Sequence, residues 1–230
     1  LGNTTIGTAA LDATAIKVQG TLAITNSGAG AITGIISNGS SAAIITKAGA
    51  GTLTLSGDNT YTGATTVSAG VLAITHADAL GGTSGATTVA NNAALNISGG
   101  ITTAAEGITI SGTGVSNRGA IRNISGDNVI AGQITIAAHT EIASDSGTLR
   151  LNISSGSSIT ASNKNVTFDG AGNITVVDPI ATGSGTLTKS GSGTLTLSGA
   201  NTYTGASTIS DGVLIATNAT SLGTTDGATT

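Results

Sequence analysis

The chain has 230 residues, a formal net charge of −4, 8% charged residues and 1% aromatic residues. Gly, Thr, Ala and Ser number 36, 42, 35 and 25, so four small residue types supply 138 of 230 positions, or 60%. Aromatic side chains are too few to help fill a compact globular core to native density, which argues against such a core. Thr, Ile and Val are abundant and charge is sparse, which favours stacked β-strands over disorder.

Charged and membrane partners are also disfavoured by the composition. The seven Lys and Arg residues are scattered and form no basic patch, so we expect no nucleic-acid partner. No apolar run approaches the ~20 residues of a membrane-spanning helix, and the first residues do not resemble a signal peptide. The chain does not begin with Met, so we expect a mature or excised part of a longer protein.

Predicted strands follow one another as short runs in which apolar and polar residues alternate. The pieces between these runs are rich in Gly, Ser, Asn and Asp, which favour turns. No stretch of 11 or more residues has the 3.6-residue period of a helix. In chain order the runs are Leu53–Leu55, Leu72–Ile74, Leu95–Ile97, Ile108–Ile110, Ile134–Ile136, Leu149–Ile153, Val166–Phe168, Ile174–Val176, Leu187 and Leu195–Leu197.

One long segment occurs twice. Residues 47–88 return as residues 189–230, with 29 identities in 42 positions and no gap. Within a copy the strand runs recur about every 20 residues, which predicts a parallel β-solenoid of about ten coils. We expect one continuous solenoid over residues 1–230. An antiparallel barrel or sandwich is the alternative, but it would need hairpin loops of the Asn-Gly type, and only Asn38-Gly39 resembles one.

Candidate catalytic and metal-binding residues are few. His76 and Asp78 are two residues apart and suggest a catalytic pair, but Asn218 and Thr220 stand at the same places in the second copy, which favours a solvated turn. His139 and Glu141 could share one face of a strand as metal ligands, although no third ligand lies nearby in sequence. We therefore expect no metal and no cofactor.

Candidate catalytic carboxylates are scattered as well. Enzymes that cleave polysaccharides pair two carboxylates across the scissile bond. Asp127 with Asp145, or Asp169 with Asp178, could align on neighbouring coils to form such a pair. Eleven acidic residues spread over the whole chain make no evident cluster, so we expect a protein that is not an enzyme.

Threonine pairs of the Thr-x-Thr type suggest an ice-binding solenoid as another alternative. That function needs the pair on one flat face in successive coils. Thr52 and Thr54 are followed one coil later by Val71 and Ala73, which breaks the row.

Residues 51–72 and 193–214 carry a pattern of fixed spacing. The first copy reads G-x-L-x-L-x-G-x-N-T-Y-x-G-x-T-x-V-x-x-G-x-L, and the second repeats it closely. Both segments resemble the passenger-associated transport repeat of bacterial autotransporters. The residues that carry the resemblance are Gly51, Leu53, Leu55, Gly57, Asn59, Tyr61, Gly63, Gly70 and Leu72, with Gly193, Leu195, Leu197, Gly199, Asn201, Tyr203, Gly205, Gly212 and Leu214.

This resemblance implies a right-handed, single-stranded parallel β-helix that is secreted by a Gram-negative type V system and exposed at the cell surface. We expect a non-catalytic stalk or adhesin scaffold that contacts a host or cell surface, or that associates with itself because its net charge is low. The C-terminal translocator β-barrel would lie outside this chain. A polysaccharide-acting β-helix enzyme, a phage tail-fibre segment and an ice-binding solenoid remain as alternatives.

Overall fold

The computed structural model describes residues 4–6, 15–224 and 228–230, and its regular structure is almost entirely β-strand. Besides the strands, the described residues include one short 3₁₀ helix, Val115–Asn117. None of the described residues forms a helix long and apolar enough to cross a membrane. The strands are β1 (Thr4–Ile6), β2 (Ala15–Val18), β3 (Thr21–Thr25), β4 (Ala29–Ile32), β5 (Ile35–Asn38), β6 (Ile44–Ala48), β7 (Thr52–Leu55), β8 (Thr65–Val67), β9 (Gly70–Ile74), β10 (Thr87–Val89), β11 (Ala93–Ser98), β12 (Ile108–Gly112), β13 (Ile121–Ser125), β14 (Asn128–Ile130), β15 (Ile134–Ser144), β16 (Thr148–Leu151), β17 (Ile159–Ala161), β18 (Val166–Asp169), β19 (Asn173–Val176), β20 (Ile180–Ala181), β21 (Leu187–Lys189), β22 (Thr194–Leu197), β23 (Ser207–Ile209) and β24 (Val213–Ala216).

These strands stack into three parallel faces, and the described residues make about nine turns of a β-solenoid. Face A contains β1, β3, β6, β8, β10, β12, the first part of β15, β17 and β20. Face B contains β4, β7, β9, β11, β13, the last part of β15, β18, β21 and β23. The predicted parallel solenoid is therefore confirmed.

Face C begins with the pair β2 and β5 and ends with β14, β16, β19, β22 and β24. Between these two groups, single backbone hydrogen bonds connect one coil to the next. Thr60 donates to the Ile36 carbonyl at 2.9 Å, and the Asn59 N–H donates to the Asp78 carbonyl at 3.2 Å. Face C thus keeps its stacking where the chain has no regular strand.

The core consists of columns of inward-facing side chains. Along face B, Leu53, Leu72 and Leu95 stand directly over one another and are buried. The column continues through Ile121 and Ile142. Because the lumen is narrow, Ile, Leu and Val fill it, and alternate residues point outward as the period of two predicts.

The second copy of the repeat starts one face later than the first. Leu53 and Leu55 lie on β7 of face B, whereas the matching Leu195 and Leu197 lie on β22 of face C. The shift arises because the 142 residues between equivalent positions of the two copies are not a whole number of coils. Equivalent side chains of the two copies therefore point in different directions around the solenoid.

Candidate functional site

The leucines of the repeated pattern lie in the core. Leu53, Leu55 and Leu72 are buried in the first copy, and Leu195 and Leu197 are buried in the second. Leu214 is half-buried on β24, the last strand of face C.

The glycines of the pattern lie where successive coils approach each other closely. A Cβ atom on Gly51 would collide with the Gly28 carbonyl oxygen of the preceding coil. Gly70 adopts a φ of +68°, in the left-handed region that favours glycine. The remaining glycines, which show the same close approach to the preceding coil, are Gly57, Gly63, Gly193, Gly199, Gly205 and Gly212.

Asn59 links three successive coils through its buried side chain. Its Oδ1 accepts from the Ile36 N–H at 2.8 Å, and its Nδ2 donates to the Ala79 carbonyl at 2.7 Å. Asn201 makes the same bonds in the second copy, accepting from the Ile180 N–H and donating to the carbonyl of the coil that follows. An amide has both a donor and an acceptor, so it satisfies backbone groups above and below at once.

Tyr61 and Tyr203 are fully buried at equivalent positions of the two copies. The Tyr61 hydroxyl lies 2.7 Å from Thr65 Oγ1, and the Tyr203 hydroxyl lies 2.7 Å from Ser207 Oγ. Burial raises the pKa of both phenols above its ordinary value. The two rings therefore serve packing, with a local partner for each hydroxyl, and neither is open to a ligand.

Sequence reasoning missed a second feature shared by both copies, a buried lysine. Lys47 faces the lumen in a column between Ile24 and Val67. Its Nζ donates to the carbonyls of Ala48, Gly49 and Ala69 at 2.9, 2.8 and 3.0 Å. Burial lowers its pKa.

Lys189 repeats this arrangement in the second copy. Its Nζ donates to the carbonyls of Ser190, Gly191 and Asp211. Burial lowers its pKa too, while nearby carboxylates act in the opposite direction. A lysine at the same place in both copies was the available sequence signal, although lysine is seldom expected in a core.

The turn after β9 brings His76 and Asp78 together with Asp58 of the preceding coil. One ligand atom from each residue lies within 4.8 Å of the other two. His76 Nδ1 accepts from the Asp78 N–H at 3.2 Å and lies 4.0 Å from Asp78 Oδ2. About half of each side chain is exposed, 40% for His76 and 47% for Asp78. No sequence pattern pointed to Asp58, because it belongs to another coil.

His139 and Glu141 do not form a comparable group. His139 is exposed on β15, and its Nδ1 accepts from the Asn165 N–H at 2.9 Å. Glu141 is half-buried, and its pKa rises to about 7 because burial and the neighbouring Asp169 carboxylate disfavour its charged form. Among the described residues these two belong to no set of three metal-ligating side chains.

The aspartate pairs expected to align on neighbouring coils do not do so. Asp127 lies opposite Thr148, whose N–H donates to it at 2.9 Å, and not opposite Asp145. Asp169 is the last residue of β18 on face B, and Asp178 follows β19 on face C of the same coil. The prediction was wrong because 18 residues separate Asp127 from Asp145 and 9 separate Asp169 from Asp178, whereas positions paired between neighbouring coils are 21 residues apart in the adjoining ladders.

Asp145 and Asp169 instead line one cavity of about 270 Å³ together with Arg118. Arg122 binds Asp145 in a bidentate ion pair, with Nε 2.9 Å from Oδ1 and a second bond from Nη2 to Oδ2. Arg118 adds a contact of 3.8 Å to the same carboxylate. The negative charge of Asp145 is therefore neutralised by its own neighbours.

Glu106 is the one acidic side chain that is fully buried among the described residues. Thr87 Oγ1 donates to its carboxyl at 2.6 Å. Burial raises the Glu106 pKa to about 7, although the hydrogen bond from Thr87 acts in the opposite direction. The sequence offered no signal for this residue, since nothing in its neighbourhood differs from a surface turn.

A row of outward-facing threonines runs along face A. The members are paired in register on six successive coils, and they are half-buried or exposed: Thr46, Thr66, Thr88, Thr109, Thr135 and Thr160. The row is one threonine wide. On face B, Thr52 pairs with Val71 and Thr54 with Ala73, as the sequence indicated, so the two-threonine ladder of an ice-binding face is broken there.

Comparison with known protein families gave two matches to the model of the passenger-associated-transport-repeat, at residues 45–74 and 187–216. The chain carries two passenger-associated transport repeats. Both matched segments begin close to the buried lysine and end on the second strand after the buried tyrosine. Searches of curated proteins and of solved structures gave no match. The two transport repeats and the β-solenoid fit a passenger segment of an autotransporter.

Proposed function

We propose that the chain is a non-catalytic passenger segment that a type V autotransporter displays outside the outer membrane of a Gram-negative cell, as a stalk or adhesin scaffold. The observation that carries this proposal is the pair of transport repeats built into one parallel solenoid. A chain without cysteine, and with few aromatic residues, suits passage through a pore in an unfolded state. Stacking of each new coil on the last would then drive folding in one direction.

The repeats contribute to this role by fixing how coils stack. Lys47, Asn59 and Tyr61 each satisfy backbone or side-chain groups at a corner, and their counterparts do so in the second copy. Corners of this kind allow each coil to fold as soon as it leaves the export pore. We infer that the repeats act in export and folding.

A non-catalytic role is supported by the arrangement of carboxylates. The candidate aspartate pairs lie apart, and Asp145 is held by Arg122. A screen for depolymerisation of polysaccharides tests this role, with Asp145→Asn and Asp169→Asn as variants. Cleavage that these variants abolish would identify a glycan-degrading enzyme instead.

Surface export is tested by placing residues 1–230 between a signal peptide and a translocator β-barrel in a Gram-negative host. We expect intact cells to display the chain and external protease to remove it. A Gly51→Val and Gly193→Val double variant should reach the surface in smaller amounts, because both side chains collide with the preceding coil. Thr88→Ser, an exposed change, is the matched control. Equal display of all three chains would argue against a role of the repeats in export.

The adhesive part of the proposal rests on the threonine row of face A, which presents hydroxyl groups at a regular spacing with little charge. Many weak contacts along such a row can add up to firm binding. Light scattering at physiological salt should show association that grows with concentration. The changes Thr88→Glu and Thr135→Glu place charges in the row and should weaken the association between chains. A wild-type chain that stays monomeric at high concentration, and is not retained on surfaces, would refute the adhesive role.

A further inference from the structure

The group formed by Asp58, His76 and Asp78 has the donors of a metal site. It offers one imidazole nitrogen and two carboxylates, all mutually within 4.8 Å. Bonds from a divalent transition metal to such donors measure about 2.0–2.2 Å, so a metal at the centre needs only small side-chain movements. The side chains are half-buried or exposed and can make these movements.

The backbone beneath the group is held in place by interactions that do not involve the three donors. The Asn59 N–H donates to the Asp78 carbonyl at 3.2 Å, and Asn59 Nδ2 donates to the Ala79 carbonyl at 2.7 Å. These bonds connect the coil that carries Asp58 to the coil that carries Asp78, and Asn59 itself is buried. The donors therefore project from a supported corner.

The second copy of the repeat is an internal comparison for this corner. It keeps the asparagine bridge at Asn201 but has Ala200, Asn218 and Thr220 where the first copy has the three donors. The turn itself survives, because Asn218 Oδ1 accepts from the Thr220 N–H at 3.0 Å as His76 Nδ1 does from Asp78. The fold of the corner therefore does not require the three donor side chains. All three are replaced in the second copy.

The charge of the group also calls for a cation. Neither Asp58 nor Asp78 forms an ion pair with a lysine or arginine among the described residues. The imidazole separates this group from a calcium or magnesium site, because those ions prefer oxygen ligands only. We propose that Asp58, His76 and Asp78 bind one divalent transition-metal ion of the zinc type, which connects two successive coils of the first repeat.

Titration of the whole chain with Zn²⁺ by isothermal calorimetry tests this site. We expect one ion per chain, and a higher midpoint of thermal unfolding when zinc is present, since a ligand that binds only the folded state stabilises it. Changing the corner to the residues of the second copy, with Asp58→Ala, His76→Asn and Asp78→Thr, should abolish both effects. His76→Asn alone keeps the turn acceptor and should weaken binding more than about tenfold.

Two controls show whether zinc binds at this corner and whether the corner prefers zinc to calcium. His139→Asn removes the only other histidine of the chain and should leave zinc binding unchanged. Ca²⁺ at the same concentrations should not compete. Unsaturable binding by the wild type, undiminished binding by His76→Asn, or loss of binding in His139→Asn would each overturn the proposal. None of these measurements depends on the adhesive role.

Discussion

At the scale of single residues, the buried lysine shows how a charged side chain can belong to a narrow apolar lumen. The Lys47 stem takes the place of an aliphatic residue between Ile24 and Val67. Its ammonium group reaches three carbonyls at the corner. Three hydrogen bonds to one charged group offset much of the cost of burying it. The ammonium group therefore acts as a hydrogen-bonded cross-link between the backbone carbonyls of this corner.

Lys47→Met tests the cross-link, because methionine keeps the volume of the stem and removes the donor. We expect a loss of about 2–3 kcal/mol in the free energy of unfolding, since several buried carbonyls lose their partner. Lys189→Met should change stability in the same direction. Thermal and urea unfolding measure the loss, with the exposed Arg150→Met as control. If Lys47→Met were as stable as the wild type, the lysine would contribute only through the packing of its stem, and its hydrogen bonds would add no stability.

At the scale of elements, the contact between Glu106 and Thr87 connects the segment before β12 to the start of β10 on the coil below. The folded chain holds Glu106 with a pKa of about 7, above its ordinary value near 4.5. A carboxyl whose pKa is raised by folding binds more protons in the folded state than in the unfolded state. The contribution of protonated Glu106 to the free energy of unfolding is therefore complete at low pH and is lost as pH rises through about 7.

Glu106→Gln should reveal this pH dependence. The wild type should lose stability between pH 5 and pH 8, and glutamine, which can still accept from Thr87, should not titrate. We expect the variant to exceed the wild type by about 1–2 kcal/mol at pH 8 and to match it near pH 5. Glu141 titrates in the same direction, so part of the wild-type slope should remain. Equal destabilisation at both pH values would show that the carboxylate is needed as such.

The strands were predictable from the sequence, whereas their alignment was not. Runs such as Leu53–Leu55 and Leu195–Leu197 lie on β7 and β22, because alternation specifies which side faces the lumen. The face on which a strand lies depends on the length of every preceding corner, and no local pattern encodes that sum. The grouping of Asp58 with His76 depends on the same alignment, as does the separation of Asp127 from Asp145.

At the scale of the whole molecule, each coil of the solenoid contacts only the coils next to it. The ladders of face A and face B join neighbours in order, and the buried columns follow them. Stability in such a stack is close to a sum of coil and interface contributions, so damage at one place need not reach the far end. The two transport repeats lie far apart in the stack and should therefore behave as separate stabilising regions.

Tyr203→Ala and Tyr61→Ala make this separation measurable. Each change removes a fully buried ring and should cost about 3–5 kcal/mol locally. In hydrogen exchange followed by mass spectrometry, Tyr203→Ala should accelerate exchange in residues 180–224 and leave residues 36–90 close to wild type. Tyr61→Ala should give the reverse pattern. Faster exchange along the entire chain in either variant would mean that the solenoid unfolds as one cooperative unit, in which case a stepwise closing of coils during export would lose its physical basis.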